Sequence, residues 1–534
     1  MNLPRQAPLP LEPAAFGLPS YAAPVTLLQT HIGWVYLAGE FAFKLKKHVR
    51  FDFLDFTTLE KRRWACEREV VLNRRLCPDL YLGLRPVIRD ADGTVRLAEK
   101  ECPGDQIIDW AVWMRRLPAG RMLDELLIRD QVSATDMRRI AETLASFYKQ
   151  QRQQSPAGEP KDYIRTLTYN INENVREGAA LSHDVLAEGA LKFIDSRARY
   201  FLANYASVLE QRVRDGFIVD GHGDLRAENI FLPENGPVLP FDCIEFNDRF
   251  RICDCAQDIA FLAMDVDSRG REDLSRELLA TYKAACDPQL PERLLNFYLG
   301  YRAFVKAKVA AWVSQDSNVP HEQRERSETQ ARVLFDLAVR YALRGEDVLF
   351  VFCGPSGSGK STLASHLASR LKVPHLATDI LRDELVPRGQ PRERRYAGIV
   401  SKRVYELLCA RAGAQLDTKQ SVVLDGTFST RALRKAAAGE ARKRGRRSIL
   451  IYAQATPEII EKHLNERATD CIFHGSEADA EIARNQQQSF ERPFETELVA
   501  NGGAFTAICR IPTNVSREQS RAAMWNDVLA ALSV

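Results

Sequence analysis

The chain has 534 residues, 45% hydrophobic and 27% charged, the balance of an ordinary folded protein with room for roughly three or four domain-sized units. A net charge of +3 argues neither for nor against nucleic acid. No apolar run approaches the ~20 residues needed to span a bilayer, and no apolar stretch follows Arg5 as in a signal peptide, so a cytoplasmic protein without membrane contact is expected. The 11 cysteines include no CxxC pair, and Cys253-x-Cys255 lacks a second pair at zinc spacing, which favours free thiols in a reducing compartment.

In chain order, residues 1–24 read as an irregular segment rich in Pro, Leu and Ala. Residues 30–50 read as two strands around Ala38-Gly39-Glu40, because Phe41, Phe43 and Leu45 alternate with Ala42, Lys44 and Lys46. A helix is expected over 57–76, capped by Thr57 or Thr58, then strands near 84–89, 94–100 and 111–118. The pattern is helical over 120–215, changes to short strands and loops over 216–246, and returns to long helices over 254–344 with a polar break near Ser314–Pro320. From the apolar run at 348–353 onward, strands and helices alternate to the end, the pattern of a parallel sheet with covering helices. The boundary is expected near 343–347, giving a final domain over 345–534.

That last domain opens on Gly354, Pro355, Ser356, Gly357, Ser358, Gly359, Lys360, Ser361 and Thr362, a complete GxxxxGK[ST] between an apolar strand and a helix. Glycines let backbone N–H groups turn inward on phosphate oxygens, and the following helix points its positive end at the same anions. Lys360 would reach the β- and γ-phosphates of ATP, and the Ser361 hydroxyl would bind Mg²⁺. Asp379 and Asp425 each end a short strand and should face the mouth of this loop, where such sheets bind ligands. Asp425 takes the place of a carboxylate holding Mg²⁺, and Asp379 the place of a base for an acceptor hydroxyl. Arg382, one turn on, suits an anionic acceptor. Residues 431–447 carry eight Lys/Arg and one Glu without interleaved aromatics, which favours a solvated helix face over a nucleic-acid surface. On GPSGSGKST (354–362), ATDILRDEL (377–385) and VVLDGTFS (422–429), this part resembles the small P-loop kinases of the zeta-toxin, polynucleotide-kinase and gluconate-kinase type, often described as AAA-like. The resemblance implies that Asp379 activates the acceptor and that a lid supplies arginine, with Arg467 and Arg484 the candidates and Arg492 a weaker one.

Upstream, His222-Gly223-Asp224-Leu225-Arg226-Ala227-Glu228-Asn229 follows the H-x-D-x-x-x-x-N logic of a kinase catalytic loop. There Asp224 would accept the proton of an incoming hydroxyl and Asn229 would hold Mg²⁺. Asp242, in Asp-Cys-Ile, stands where a second metal-binding carboxylate returns to the site. Ala42-Phe43-Lys44 reproduces the Ala-x-Lys of a kinase strand, with Lys46 the rival lysine. Glu69 is the expected partner of Lys44 and Glu67 the competitor; Met114–Leu117 would be the adenine hinge. HGDLRAENIF (222–231), PFDCIEF (240–246) and DCAQDIAFLAMD (254–265) resemble the aminoglycoside phosphotransferase and choline-kinase-like family, in which Asp258 matches a structural Asp. That resemblance implies a bilobal α+β kinase-like fold, with an N-lobe over 25–118 and a C-lobe over 119–344, ahead of an α/β P-loop domain. No GxGxxG covers the phosphates, since Gly33 and Gly39 are isolated.

Three readings follow. The chain is a phosphotransferase with two ATP and Mg²⁺ sites acting on a hydroxyl of a small molecule, a nucleotide or an RNA end. Alternatively, it is a P-loop kinase gated by a non-catalytic kinase-like sensor. The third reading is an ATPase switch or nucleic-acid-binding module.

Overall fold

The computed structural model describes residues 8–19, 23–102, 104, 106–156, 158–181, 186–317, 319–387, 389–469 and 486–533. The chain divides into two compact units interleaved in sequence: residues 1–168 with 205–302, and residues 169–204 with 303–534.

In the first unit, strands β1 (Thr26–Gln29), β2 (Gly33–Ala38), β3 (Phe41–Lys46), β4 (Tyr81–Arg89), β5 (Val95–Leu97) and β6 (Gln106–Arg115) form one antiparallel sheet in the order β1-β2-β3-β6-β4-β5. The alternation read in β3 sorts its side chains. Phe43 and Leu45 pack with Trp34 and Tyr36 on one face, while Ala42 packs with Cys66 and Val70 on the other. Leu9 and Phe16 join the first of these cores, and the Leu9 N–H donates to the Tyr36 hydroxyl at 3.2 Å, so residues 8–19 are pinned although irregular. Helix α1 (Leu59–Asn73) lies in sequence between β3 and β4, and Thr58 caps it, its hydroxyl accepting from the Lys61 N–H at 3.3 Å. Strand β4 begins at Tyr81, ahead of the expected start, because its register slips between Tyr81 and Gly83 and hides the period of two.

The helical part of this unit includes α2 (Ala134–Arg152), α3 (Cys255–Ser268) and α4 (Glu272–Cys286). Helix α3 is buried from Cys255 through Asp267, mostly apolar but carrying the buried carboxylates Asp258, Asp265 and Asp267. Two short antiparallel pairs frame the loop at 221–229: Ile218–Asp220 with Ile252–Asp254, and Ile230–Phe231 with Leu239–Pro240. An antiparallel sheet with one helix ahead of its fourth strand, followed by a helical lobe, is the protein-kinase-like architecture.

The second unit is built on a parallel sheet of β7 (Leu349–Cys353), β8 (His375–Ala377), β9 (Val422–Asp425), β10 (Ser448–Gln454) and β11 (Ala507–Pro512), in the order β8-β9-β7-β10-β11. Its three inner strands are almost wholly apolar and buried, as parallel strands covered on both faces must be. The crossover helices are α5 (Lys360–Leu371), α6 (Thr378–Leu385), α7 (Gly398–Asp417), α8 (Arg431–Lys443) and α9 (Pro457–Thr469), with α10 (Arg517–Ser533) closing the chain. The helix Glu188–Asn204 packs on α10 so closely that a Cβ at Gly189 would meet the Asn526 carbonyl oxygen at 2.5 Å. Among the described residues, no helix is long and apolar enough to cross a membrane.

Candidate functional sites

In the second unit the strand register aligns the carboxyl ends: Phe352 is opposite Asp425, and Asp425 is opposite Ala377. The loop after β7 therefore begins beside Asp425; Asp379, expected at a strand end, is instead in the first turn of α6, because β8 stops at Ala377 and the chain turns helical at Thr378. Gly359 holds φ +83° as it enters α5, a conformation that L side chains rarely adopt. A Cβ on Gly357 would meet Ile460 Cγ2 at 2.9 Å, so the loop lies flush on α9, where His463 Nδ1 is 2.9 Å from the Gly357 carbonyl oxygen. Ser356, Lys360, Asp379, Arg382 and Asp425 line one cavity of about 840 Å³.

Among the described residues, Ser358 Oγ and Asp425 Oδ1 of this site, together with His375 Nε2 and Arg382 Nε, are buried without a well-aligned protein hydrogen bond. Burial alone would raise the Asp425 carboxyl, but His375, the Lys360 charge and the Ser361 hydroxyl together hold it below the ordinary carboxylate range. His375 Nε2 lies 3.5 Å from Asp425 Oδ2. An ionised, buried carboxylate with an open oxygen beside a serine hydroxyl fits a hard divalent cation such as Mg²⁺. The N–H of Ser356 donates to Gln486 Oε1 at 3.0 Å.

Arg382 is buried; it donates to the Arg395 carbonyl oxygen at 3.0 Å, lies over the Tyr396 ring at 4.5 Å, and its Nε has no hydrogen-bond partner among the described residues. Arg484 lies outside the described residues. Arg467 is on α9, its side chain outside them, and Arg492 is exposed. The basic run is in part the expected solvated face, with Arg431, Lys435, Arg442 and Lys443 exposed, and in part neutralised. Arg434 is fully buried on Glu497 at 2.8 and 2.7 Å, Arg444 is bonded to Asp417 and Glu440, Lys443 to Glu440, and Arg446 is paired with Asp347. The acidic partners sit far off in sequence or on the next turn, so the run reads as more basic than its surroundings are.

The first unit brings together the kinase-like set. Lys44 Nζ donates to Glu69 Oε1 at 2.9 Å and is paired with Asp242. Glu69 also takes Lys46, which bonds Glu245 in turn. Glu67 instead faces Arg63 on the surface at 3.0 Å. Burial would lower Lys44, but Asp242, Glu69 and Glu245 more than reverse that and hold its ammonium well above the ordinary value. Asp242 has φ +66°, and its N–H donates to the Tyr81 hydroxyl at 3.2 Å. Burial would raise its carboxyl, and Lys44 brings it below the ordinary range.

Asp224 is held by Arg226 through two bonds of 2.8 and 2.7 Å, and Asn229 Nδ2 donates to the Asp224 carbonyl oxygen at 2.9 Å. Asp258 accepts the N–H groups of His222 at 2.8 Å and Gly223 at 2.9 Å, with the Tyr148 hydroxyl at 3.0 Å. Met114 of the expected hinge pairs with both Ala42 and Tyr81. Where a phosphate-covering loop would be long, β1 and β2 are joined by residues 30–32, closed by the Thr30 N–H on the Gly33 carbonyl at 2.9 Å.

Sequence reasoning passed over Arg226, Glu245, His375 and Gln486. Arg226 stood inside the motif; the other three act across long sequence separations and carried no local signal.

Folds and sites together define a P-loop domain of kinase type joined to a protein-kinase-like domain. A family model described as "AAA domain" matches residues 349–493. The chain is 31% identical over 467 residues to the uncharacterized protein Rv2004c of Mycobacterium tuberculosis, covering 86% of this chain and 89% of that one, and it belongs to the same family. An adenylate kinase of Thermosipho melanesiensis is 27% identical over 124 residues, which span 22% of this chain and 58% of the enzyme. The solved structure of a choline/ethanolamine kinase family protein from Mesorhizobium loti aligns over 60% of this chain and 93% of its own, with 13% identity and a TM-score of 0.34.

Proposed function

We propose that the chain is an ATP- and Mg²⁺-dependent phosphotransferase whose second unit moves the γ-phosphate to a hydroxyl of a small molecule, a nucleotide or an RNA end. The observation that carries this reading is the shared cavity of Ser356, Lys360, Asp379 and Asp425, wide enough at about 840 Å³ for an acceptor beside the phosphates. The loop N–H groups and Lys360 bind the phosphate oxygens, and Ser361 with Asp425 holds Mg²⁺, which supplies charge neutralisation when bound. Asp379 takes the acceptor proton as the new O–P bond forms and the bond to the β-phosphate oxygen breaks, releasing ADP. Arg382, buried with an open Nε, favours an acceptor that carries a carboxylate or phosphate. Arg467 and Arg484 are the candidates for a cation on the transferring group.

In the first unit, Lys44, Glu69, Asp224, Asn229 and Asp242 compose a second site of the same chemistry. A sensor reading has its own support: the Arg226 clamp on Asp224 and the short β1–β2 turn. The deciding measurement is the binding stoichiometry of a non-hydrolysable ATP analogue with Mg²⁺ on the intact chain, Lys360→Ala and Asp242→Ala, each checked for folding. Two sites, one lost in each variant, support a double phosphotransferase. One site, lost only with Lys360→Ala, makes the first unit a sensor. No loss with Lys360→Ala overturns the proposal.

A further inference from the structure

The cavity of the second unit extends well past Asp379. Its wall follows α7 from Ser401 to Ala410, about 13 Å along the helix, and α8 from Leu433 to Lys443. Helices α7 and α8 pack against each other. The far half of the groove between them is walled by Cys409 and Ala410 on one side and by Leu433, Ala436 and Gly439 on the other. The carboxylates there are already paired. Glu406 accepts from Arg403 at 3.1 Å, and Glu440 accepts from Lys443 at 2.6 Å and from Arg444 at 2.8 Å. That half is therefore shaped for an uncharged body.

Gly439 lies in the interior of α8, where glycine weakens a helix relative to alanine. A Cβ added there would meet nothing within 4 Å. Packing therefore does not require the glycine; its missing side chain keeps clear the groove that it lines. At the near end, the Tyr405 hydroxyl accepts from the Phe428 N–H at 3.0 Å, and the two rings meet edge to face at 5.1 Å. The phenol is thus fixed from both sides, yet its own proton has no acceptor among the described residues. Burial pushes it up to about 12, so it stays a donor at neutral pH. Arg382, buried with its open Nε, lines the same end of the cavity, three residues beyond Asp379 in α6.

We propose that Tyr405 and Gly439 select the acceptor, an anionic alcohol of nucleotide size lying lengthwise between α7 and α8. This rests on the phosphotransferase reading above. The anionic group meets Arg382, which brings a hydroxyl of the same molecule to Asp379 one turn away. An oxygen of the acceptor takes the Tyr405 proton, and the uncharged body passes over Gly439. A cavity of about 840 Å³ has the size of those that hold a drug-sized molecule, so there is room for a body beyond the reacting hydroxyl.

The test is calorimetry on the full chain loaded with a non-hydrolysable ATP analogue and Mg²⁺. Cytidine 5′-monophosphate should bind about tenfold or more tighter than cytidine, which lacks the anion, and than 3-phosphoglycerate, which lacks the body. Gly439→Leu should weaken the nucleotide about tenfold and leave 3-phosphoglycerate and the ATP analogue unchanged. Tyr405→Phe, which removes one hydroxyl, should weaken the nucleotide about fivefold with the ATP analogue unchanged. Trehalose 6-phosphate binding in place of the nucleotide, with the same loss in Gly439→Leu, supports the groove and assigns it a sugar body. Cytidine binding as tightly as its monophosphate overturns the anion. Binding unmoved by Gly439→Leu, or no binding of either long anion while the ATP analogue still binds, overturns the groove as the acceptor site. An ATP analogue that itself fails to bind at Lys360 removes the phosphotransferase reading, and this inference with it.

Discussion

The P-loop cavity and the kinase-like cluster treat their polar groups in different ways. Around the P-loop, Ser358 Oγ and Asp425 Oδ1 are buried and left without a well-aligned protein partner. In the kinase-like unit the polar atoms satisfy one another: Lys44 with Glu69 and Asp242, Lys46 with Glu69 and Glu245, Asp224 with Arg226. A buried polar atom without a partner costs free energy that only a ligand or water recovers, so the first arrangement is shaped for an occupant. The second is nearly satisfied by itself, with His222 Nδ1 a buried atom left without a partner, and a metal ion or phosphate meets existing ion pairs. One chain therefore holds a site poised to bind and a site already filled by its own ion pairs.

Four experiments break or sharpen that contrast. The largest effect is expected for Asp379→Asn, which should lower kcat for phosphate transfer by about 10²- to 10⁴-fold with nucleotide affinity unchanged. Transfer at the wild-type rate removes Asp379 as the base. Next is Glu69→Gln, which leaves two buried lysines with one carboxylate fewer. Denaturant unfolding of the intact chain should show the first unit weakened by about 3–5 kcal/mol while the P-loop unit is unaffected. A loss below about 1 kcal/mol would mean that the network is not a self-satisfied one.

Third, Gln486→Ala frees the Ser356 N–H for a phosphate oxygen and should tighten triphosphate binding a few-fold, the equivalent of about 1 kcal/mol for one hydrogen bond, read by calorimetry. Weaker binding would recast Gln486 as a direct ligand of the nucleotide. The smallest effect is in pH. The folded carboxyl of Asp425 lies below its unfolded value, so its stabilising contribution is complete above about 4 and is lost as pH falls through the folded value. Urea curves of wild type and Asp425→Asn should converge as pH drops through that window, and parallel curves would deny the depressed carboxyl.

Much of this was readable from the chain because the chemistry is contiguous. Residues 354–362 and 222–229 each compress the residues of one candidate site into one short segment, and the strand end at Asp425 follows from an apolar run that stops at a carboxylate, whereas the strand read to Asp379 stops at Ala377. What stayed hidden depends on side chains that meet across long separations. Lys46 and Glu245 are 199 residues apart, and Ser356 and Gln486 are 130 apart, with no spacing rule to link them. Thr57 and Thr58 could not be separated as caps without the backbone, because both are hydroxyls at the same helix start. In the basic run of 431–447 the burial of Arg434 was hidden for a related reason: Glu497, which neutralises it in the core, arrives 63 residues later.

The close seating of Gly189 on the Asn526 backbone bears on how the protein is made. Residues 169–204 leave the ribosome within the kinase-like sequence, yet the surface they pack on is made much later: Asn526 follows Gly189 by 337 residues. Until α10 is made, the face of Glu188–Asn204 that meets it has no cover, although His321–Leu343 already packs on the same helix. A stop codon ahead of α10 would thus leave an early segment uncovered, and fragments cut at 344 in either direction would each expose half of one packed helix pair.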